Sequence, residues 1–373
     1  MSLARWDGRT IWEESDGRVR ILDQTRLPHH RVSVALDSVE AAAHAIRTMQ
    51  VRGAPLIGAT AAWGLALAAR EDASDAGLER ARALLMGTRP TAVNLSWALK
   101  RCLLEIRRRP QTGRADAARE AARALCRDDV ETNRRLGGHA LELIRARARE
   151  VSATRERPLQ ILTHCNAGRL ATVGWGTATA GIYQAAEEEI PLHVWVDETR
   201  PRRQGSRLTA WELGQGGVDH TVVPDSAAPH LMATRRVDLV VVGTDRTTAR
   251  GDVANKIGTY GVALAARDNA VPFYVAAPSS SIDFRVESGG DVPIEERSGA
   301  EVVWITGLTE GGSMESVRTL PTHSPAANWA FDVTPARLIT GIITERGVTE
   351  ASTEGLAGLF PQSQTPDPAA TTD

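Results

Sequence analysis

Leu159-Gln160-Ile161-Leu162-Thr163-His164-Cys165-Asn166-Ala167-Gly168 is a short apolar run that closes on a polar cluster and a glycine. Asp238-Leu239-Val240-Val241-Val242-Gly243-Thr244-Asp245 repeats the arrangement with an acid in place of the thiol. Runs that are apolar at successive positions suit strands covered on both faces, as in a parallel sheet. Leu159 to Thr163, Leu192 to Val196, Val237 to Val242, Pro272 to Ala276 and Glu301 to Ile305 share this texture. Between them, Leu170 to Glu188, Ser206 to Leu213, Ser226 to Ala233 and Asn255 to Arg267 have helical spacing. Strand and helix in alternation predict right-handed crossovers and an α/β fold with a Rossmann-like, doubly wound parallel sheet over residues 154–350. Ligands of such sheets bind outside the carboxyl ends of the strands, where Cys165, Asp197, Asp245 and Ala277-Pro278-Ser279 fall.

Upstream the period changes. The first 35 residues alternate polar and apolar groups around Thr10-Ile11-Trp12 and Val19-Arg20-Ile21-Leu22, which suits a small antiparallel sheet. Val39 to Gln50, Pro55 to Arg70, Thr91 to Arg108 and Ala115 to Ala148 carry apolar residues at three- and four-residue spacing, with Pro55 and Pro90 near helix starts and Gly87 near an end. Residues 1–153 therefore read as a smaller, mainly helical N-terminal domain. The tail from Phe360, residues 360–373, is rich in Pro, Gln, Thr, Asp and Ala, and is expected to bury nothing and to be disordered.

The 373 residues carry 44 basic and 46 acidic side chains, a net charge of -2, which gives no general attraction to nucleic acid or anionic lipid. No stretch of about 18 uncharged apolar residues occurs, and Met1 to Asp7 lacks the apolar core of a secretory signal, so no membrane association is expected. Three well-separated cysteines, Cys102, Cys126 and Cys165, argue against a disulfide framework and for the cytoplasm. Cys102 and Cys126 lie in helical patterns and read as packing thiols. The Arg-rich pieces Arg107 to Arg109 and Arg145 to Arg149 are flanked by Glu105 and Glu150, as on a solvated helix face.

Chemistry concentrates at the strand ends. Cys165 precedes a segment that reads as a helix start, which would lower a thiol pKa, whereas an apolar pocket would raise it; both outcomes stay open. Asp245 at the mouth of an apolar strand would lose hydration, so its pKa would rise and it would serve as a general acid; the alternative is a helix cap or an ion pair with Arg246. Val51-Arg52-Gly53-Ala54-Pro55 sets a guanidinium and a flexible backbone before a helix, the arrangement that binds phosphate oxygens. Arg89 stands before Pro90 in the same style, and Asn166 to Gly168 and Gly258-Thr259 are further candidate anion nests. Lys256, one of two lysines beside Lys100, supplies a compact charge suited to phosphate. Together these favour a phosphorylated small molecule. Gly174-Trp175-Gly176 with Gly181 lacks the spacing of a dinucleotide fingerprint, and no Cys/His cluster has metal-ligand spacing, so neither cofactor nor metal is expected.

Val51 to Gly58, Thr88 to Leu99, Ile161 to Gly176, Val196 to Leu213, Gly243 to Tyr260, Pro272 to Asp283 and Ala330 to Val348 resemble, in order, the methylthioribose-1-phosphate isomerase family of methionine salvage. Its relatives are ribose-1,5-bisphosphate isomerases and the non-catalytic regulatory subunits of the translation-initiation guanine-nucleotide exchange factor. The resemblance implies a helical domain on a Rossmann-like one, a homodimer, no cofactor, and aldose–ketose isomerisation of a phosphorylated pentose, 5-methylthioribose 1-phosphate. It implies Asp245 as proton donor and Cys165 as its partner, with Arg52, Gly53, Ala54, Arg89, Gln204, Asn255 and Lys256 holding substrate. Thr244, Thr247, Thr248 and Arg250 around the acid, and Arg169 after Gly168, depart from the family pattern. Another pentose 1-phosphate, such as 5-deoxyribose 1-phosphate or ribose 1,5-bisphosphate, is the alternative substrate, and a regulatory subunit the alternative class.

Overall fold

The computed structural model describes residues 6–89 and 93–361. Strands β1 (Ile11–Glu13), β2 (Val19–Leu22) and β3 (Ser33–Leu36) form the expected antiparallel sheet. Five helices follow: α1 (Val39–Arg47), α2 (Ala54–Glu71), α3 (Asp75–Met86), α4 (Val93–Arg107) and α5 (Arg114–Glu150). The Ser38 and Ser74 hydroxyls accept the amides of Ala41 and Gly77, which starts α1 and α3 at those positions. Gly87 is the C-cap of α3, and Pro90 lies outside the described residues. From Leu56 to Ala69 every residue of α2 is buried, so this helix is the centre of the helical layer rather than a face of it.

The remaining chain winds a seven-stranded sheet. Its elements are β4 (Leu159–Thr163), α6 (Ala180–Glu187), β5 (Leu192–Asp197), α7 (Ala210–Gly216), β6 (His220–Val223), α8 (Ala227–Ala233), β7 (Leu239–Val242), β8 (Arg246–Thr248), β9 (Val253–Lys256), α9 (Thr259–Asp268), β10 (Phe273–Ala276), β11 (Ile282–Asp283), α10 (Ala300–Val303), β12 (Trp304–Leu308), β13 (Met314–Arg318), β14 (Phe331–Thr334), β15 (Gly341–Thr344), β16 (Gly347–Thr349) and α11 (Thr353–Leu359). The large sheet runs β16-β15-β10-β7-β4-β5-β6, parallel except for β16. From β4 the chain builds outward to β5 and β6, then returns to lay β7 on β4's other side. The order thus reverses between β4 and β7. A second sheet, β11-β8-β9-β14, follows the carboxyl end of β7.

Apolar cores cover both sheet faces, one with α8 and α9, the other with α6 and the second half of α5. Helix α5 is 37 residues long and belongs to two layers: Ala118, Ala122 and Leu125 pack in the helical core, Leu136, Ala140, Leu141 and Ile144 on the sheet. Cys102 is buried in the helical core and Cys126 packs against it; burial pushes each thiol up to about 12.

Several expectations need correction. Leu170 to Glu188 is not one helix: after a single 3-10 turn, Arg169–Ala171, the chain loops until α6. Thr10 Oγ1 holds the Thr172 carbonyl, Asp129 holds the Val173 amide, and Trp175 and Gly176 take φ of 66° and 84°, which no helix permits. Glu301 to Ile305 is a helical turn entering an exposed antiparallel hairpin, β12 with β13; an apolar run so short does not reveal its period. The sheet takes β15 instead. Asn255 to Arg267 divides into the end of β9, a turn at Gly258, and α9. Phe360 is 2 % exposed beside Phe284, so the chain still buries an aromatic where the tail was expected; residues 362–373 lie outside the described ones.

Asp129 is half-buried, and desolvation pushes its carboxyl up to about 7 although it accepts the Val173 N–H at 2.8 Å. With a folded pKa above the unfolded one, the folded chain holds an extra proton between about pH 4 and 7, so stability from this group is full below that window and lost as pH rises through it. Asp129→Asn keeps an acceptor and removes the ionisation. Thermal melts should show the variant raising Tm by a few degrees at pH 8 relative to wild type, and by clearly less at pH 5.

Candidate active site

Cys165 follows β4 and Asp245 follows β7, so the two side chains emerge from adjacent strands at the point where the sheet order reverses. Both line one cleft of about 960 Å³ that is open to solvent. Arg52, Gly53, Ala54, Arg89, Gln204 and Lys256 line it too. Asn255 lines a smaller adjoining cavity shared with Arg52, Cys165 and Asp245, and its amide donates to Thr259 Oγ1 at 3.0 Å. The structure thus brings Cys165 and Asp245 and the seven residues expected to hold substrate to one place, while Asp197 and Ala277-Pro278-Ser279 line neither cavity.

The backbone around the thiol is held on both sides. Cys165 has φ of 66°, a conformation costly for a side chain of this kind, and its N–H donates to Thr199 Oγ1 (2.8 Å) while its carbonyl accepts from Thr209 Oγ1 (2.7 Å). Thr209 closes a π-helical turn, Gly205–Thr209, and also accepts from Asn166 Nδ2. Arg52 grips Asn166 through its side-chain and main-chain oxygens, the latter at 2.8 Å. Burial pushes the Cys165 thiol up, against Arg52 and Lys256, which favour the thiolate; with only a 3-10 turn after it, no helix start lowers it.

Burial likewise raises the Asp245 carboxyl above its ordinary range, opposed by Lys256, Arg52 and Arg89. Asp245 caps no helix; its N–H donates to the Ala254 carbonyl at 3.0 Å, tying β7's end to β9. Lys256 is 8 % exposed and burial pulls its pKa down; its Nζ lies 4.7 Å from the centre of the Phe331 ring.

Gly53 precedes α2 with φ of 89°, and a Cβ there would stand 2.4 Å from Ala171 Cα. Only glycine lets the start of α2 press against the loop after Cys165. The nest at Gly258-Thr259 is not free for a ligand: Asp332 takes the amides of Gly258 (2.7 Å) and Tyr260 (3.1 Å).

The cleft also recruits Arg202, Arg246 and Arg297, which sequence reasoning missed as ligands. Arg89 pairs with Glu295 (3.3 Å), Glu295 with Arg297 (3.2 Å), and Arg297 and Arg202 share Glu301 (2.6 and 2.7 Å). Two of its links, Arg89 to Glu295 and Arg202 to Glu301, join residues about a hundred or more apart, which no spacing signals. Six cationic side chains against the single acid Asp245 line the cleft, an arrangement that favours an anion. Gln204 Oε1 is buried there without a hydrogen-bond partner. Met49, Ile57, Val93, Val292 and Ile294 make the rest of the wall apolar.

A potential metal cluster sits beneath, with ligand atoms of His164, Asp197 and Asp225 within 4.8 Å of one another. Most of those groups are engaged within the protein: His164 Nδ1 with Asp197 Oδ2 and Nε2 with the Ile257 carbonyl, each at 2.9 Å, and Asp225 with the amides of Thr199 (2.6 Å) and Arg200 (2.8 Å); Asp197 Oδ1 is buried with no partner among the described residues.

A profile of the initiation factor 2 subunit family matches residues 50–351. The methylthioribose-1-phosphate isomerase of Rhodospirillum rubrum is 58% identical over 358 residues, 95% of this chain and 92% of that protein. The chain belongs to the initiation factor 2 subunit family, in its methylthioribose-1-phosphate isomerase branch. Two solved structures share the fold. The 5-methylthioribose 1-phosphate isomerase of Pyrococcus horikoshii is 40% identical with a TM-score of 0.81, covering 95% of this chain and 96% of that one. The eIF-2B delta subunit of A. fulgidus is 37% identical with a TM-score of 0.78, covering 95% and 99%. Among the described residues, no helix is long and apolar enough to cross a membrane.

Gly53→Ala forces the start of α2 away from Ala171. Urea denaturation should show a loss of about 1–3 kcal/mol, the range for strain at a left-handed position plus a backbone clash.

Proposed function

We propose that the chain isomerises 5-methylthioribose 1-phosphate to 5-methylthioribulose 1-phosphate, an aldose–ketose isomerisation of methionine salvage. The observation that carries this reading is the meeting of Cys165 and Asp245 in one cation-lined cleft, in a chain 58% identical to a methylthioribose-1-phosphate isomerase. An aldose 1-phosphate has its anomeric oxygen blocked by the phosphoester, so its ring opens only when an acid protonates the ring oxygen. Asp245, its pKa raised by burial, is the acid. Hydrogen then moves from C2 to C1 beside the Cys165 thiol, and the C2 hydroxyl gives up its proton, replacing the one Asp245 supplied, as C2 becomes the ketone.

Arg52, Arg89 and Lys256, with the start of α2 at Gly53 and Ala54, hold the phosphate. Gln204 and Asn255 supply neutral hydrogen bonds to sugar hydroxyls. The apolar wall of Met49, Ile57, Val93 and Val292 suits a thioether at C5 better than a second phosphate. The reading includes a homodimer acting in the cytoplasm.

Purified protein given 5-methylthioribose 1-phosphate should form the ketose, followed by NMR. Asp245→Asn should lower kcat by about a thousandfold or more with KM nearly unchanged, since the amide keeps the shape and gives no proton to the ring oxygen. Lys256→Met should instead raise KM about tenfold or more through the lost charge.

A further inference from the structure

His164 is fully buried and touches none of the cleft, yet it joins two of the segments that build it. It directly follows β4 and precedes Cys165. Its Nε2 stands 2.9 Å from the carbonyl of Ile257, the residue after Lys256, and its Nδ1 2.9 Å from Asp197 Oδ2 at the end of β5. A carbonyl oxygen has no proton to give, so Nε2 is the donor, and a second proton lies between Nδ1 and the Asp197 carboxyl. Burial acts to lower the imidazole pKa, but the hydrogen bond and charge of Asp197, with Asp225, overcome it and the net shift is upward. Asp332 from β14 adds a third carboxylate near the ring. Burial raises the Asp197 carboxyl as well, so the pair shares that proton along Nδ1–Oδ2, and both ring nitrogens of His164 are committed. The turn it grips has no slack: Gly258 takes φ of 107°, and a Cβ there would stand 2.8 Å from the imidazole.

We infer that His164 is a positioning residue for the isomerisation, a rigid two-armed link that sets the turn carrying Lys256 against the loop carrying Cys165. Its kinetic consequence rests on the function proposed above; its geometric one does not. Lys256 and Arg52 are the cations, and Asp245 the anion, that act on the thiol, so the placement of Lys256 is also read by Cys165 itself.

Two substitutions separate the arms. His164→Asn puts an amide nitrogen near the position of Nδ1 and keeps the Asp197 arm, whereas His164→Gln puts one near Nε2 and keeps the Ile257 arm. With folded fraction checked by thermal melts, His164→Asn should raise KM for 5-methylthioribose 1-phosphate about tenfold with kcat within about threefold, and His164→Gln should restore KM to within about threefold of wild type. Independently of any substrate, the pH midpoint for iodoacetamide alkylation of Cys165, followed by mass spectrometry of its peptide, should move upward in His164→Asn and not in His164→Gln. A wild-type protein that turns over no 5-methylthioribose 1-phosphate would sink the proposed function, and the alkylation midpoints would still decide the role of His164. The inference is overturned if the two variants behave alike in KM and midpoint, whether both match wild type or both are equally impaired.

Discussion

Withdrawal of charge from water at a single sheet edge is the constraint on which this molecule turns. Parallel strands β4 and β7 end side by side, and their crossovers leave in opposite directions, which opens a crevice no helix fills. Into that crevice the chain sends Cys165, Asp245, Lys256, Arg52 and Arg89. Each loses hydration there, and the cost is offset only because opposite charges and fixed dipoles lie within reach of one another. The desolvation that raises the thiol and the carboxyl therefore also pulls the Lys256 ammonium down.

Support for this cluster comes from groups that never face the cleft. Thr199 and Thr209 clamp the two sides of the Cys165 peptide, Asn166 turns the Arg52 guanidinium, and Asp332 closes the turn after Lys256. Glu295 and Glu301 anchor Arg89, Arg297 and Arg202, so the cationic wall is fixed before an anion arrives. A site assembled this way presents its charges with little reorganisation left to do.

Much of this was legible in the sequence, for physical reasons. Buried parallel strands need unbroken apolar runs, so β4, β5 and β10 are visible by composition, and a residue at the carboxyl end of such a run is a site candidate by topology alone. What stayed hidden depends on tertiary contact. The loop from Thr172 to Thr179 looks helical until Thr10 and Asp129 are known to seize its backbone. Glu301 to Ile305 looks like a core strand until β12 is found paired, among the described residues, with β13 alone. Arg297 and Arg202 gain meaning only through Glu301, and the amides at Gly258 looked vacant because Asp332 lies more than seventy residues away in the chain.

Helix α5 carries a mechanical consequence. Its first half is rooted in the helical core and its second half in the core against the sheet, with no proline between them; a Gly137-Gly138 pair marks the crossing, and a Cβ at Gly137 would stand 2.6 Å from Gln184 Nε2 of α6. One helix thus belongs to both cores, so a substitution that shifts its axis in one layer is carried into the packing of the other.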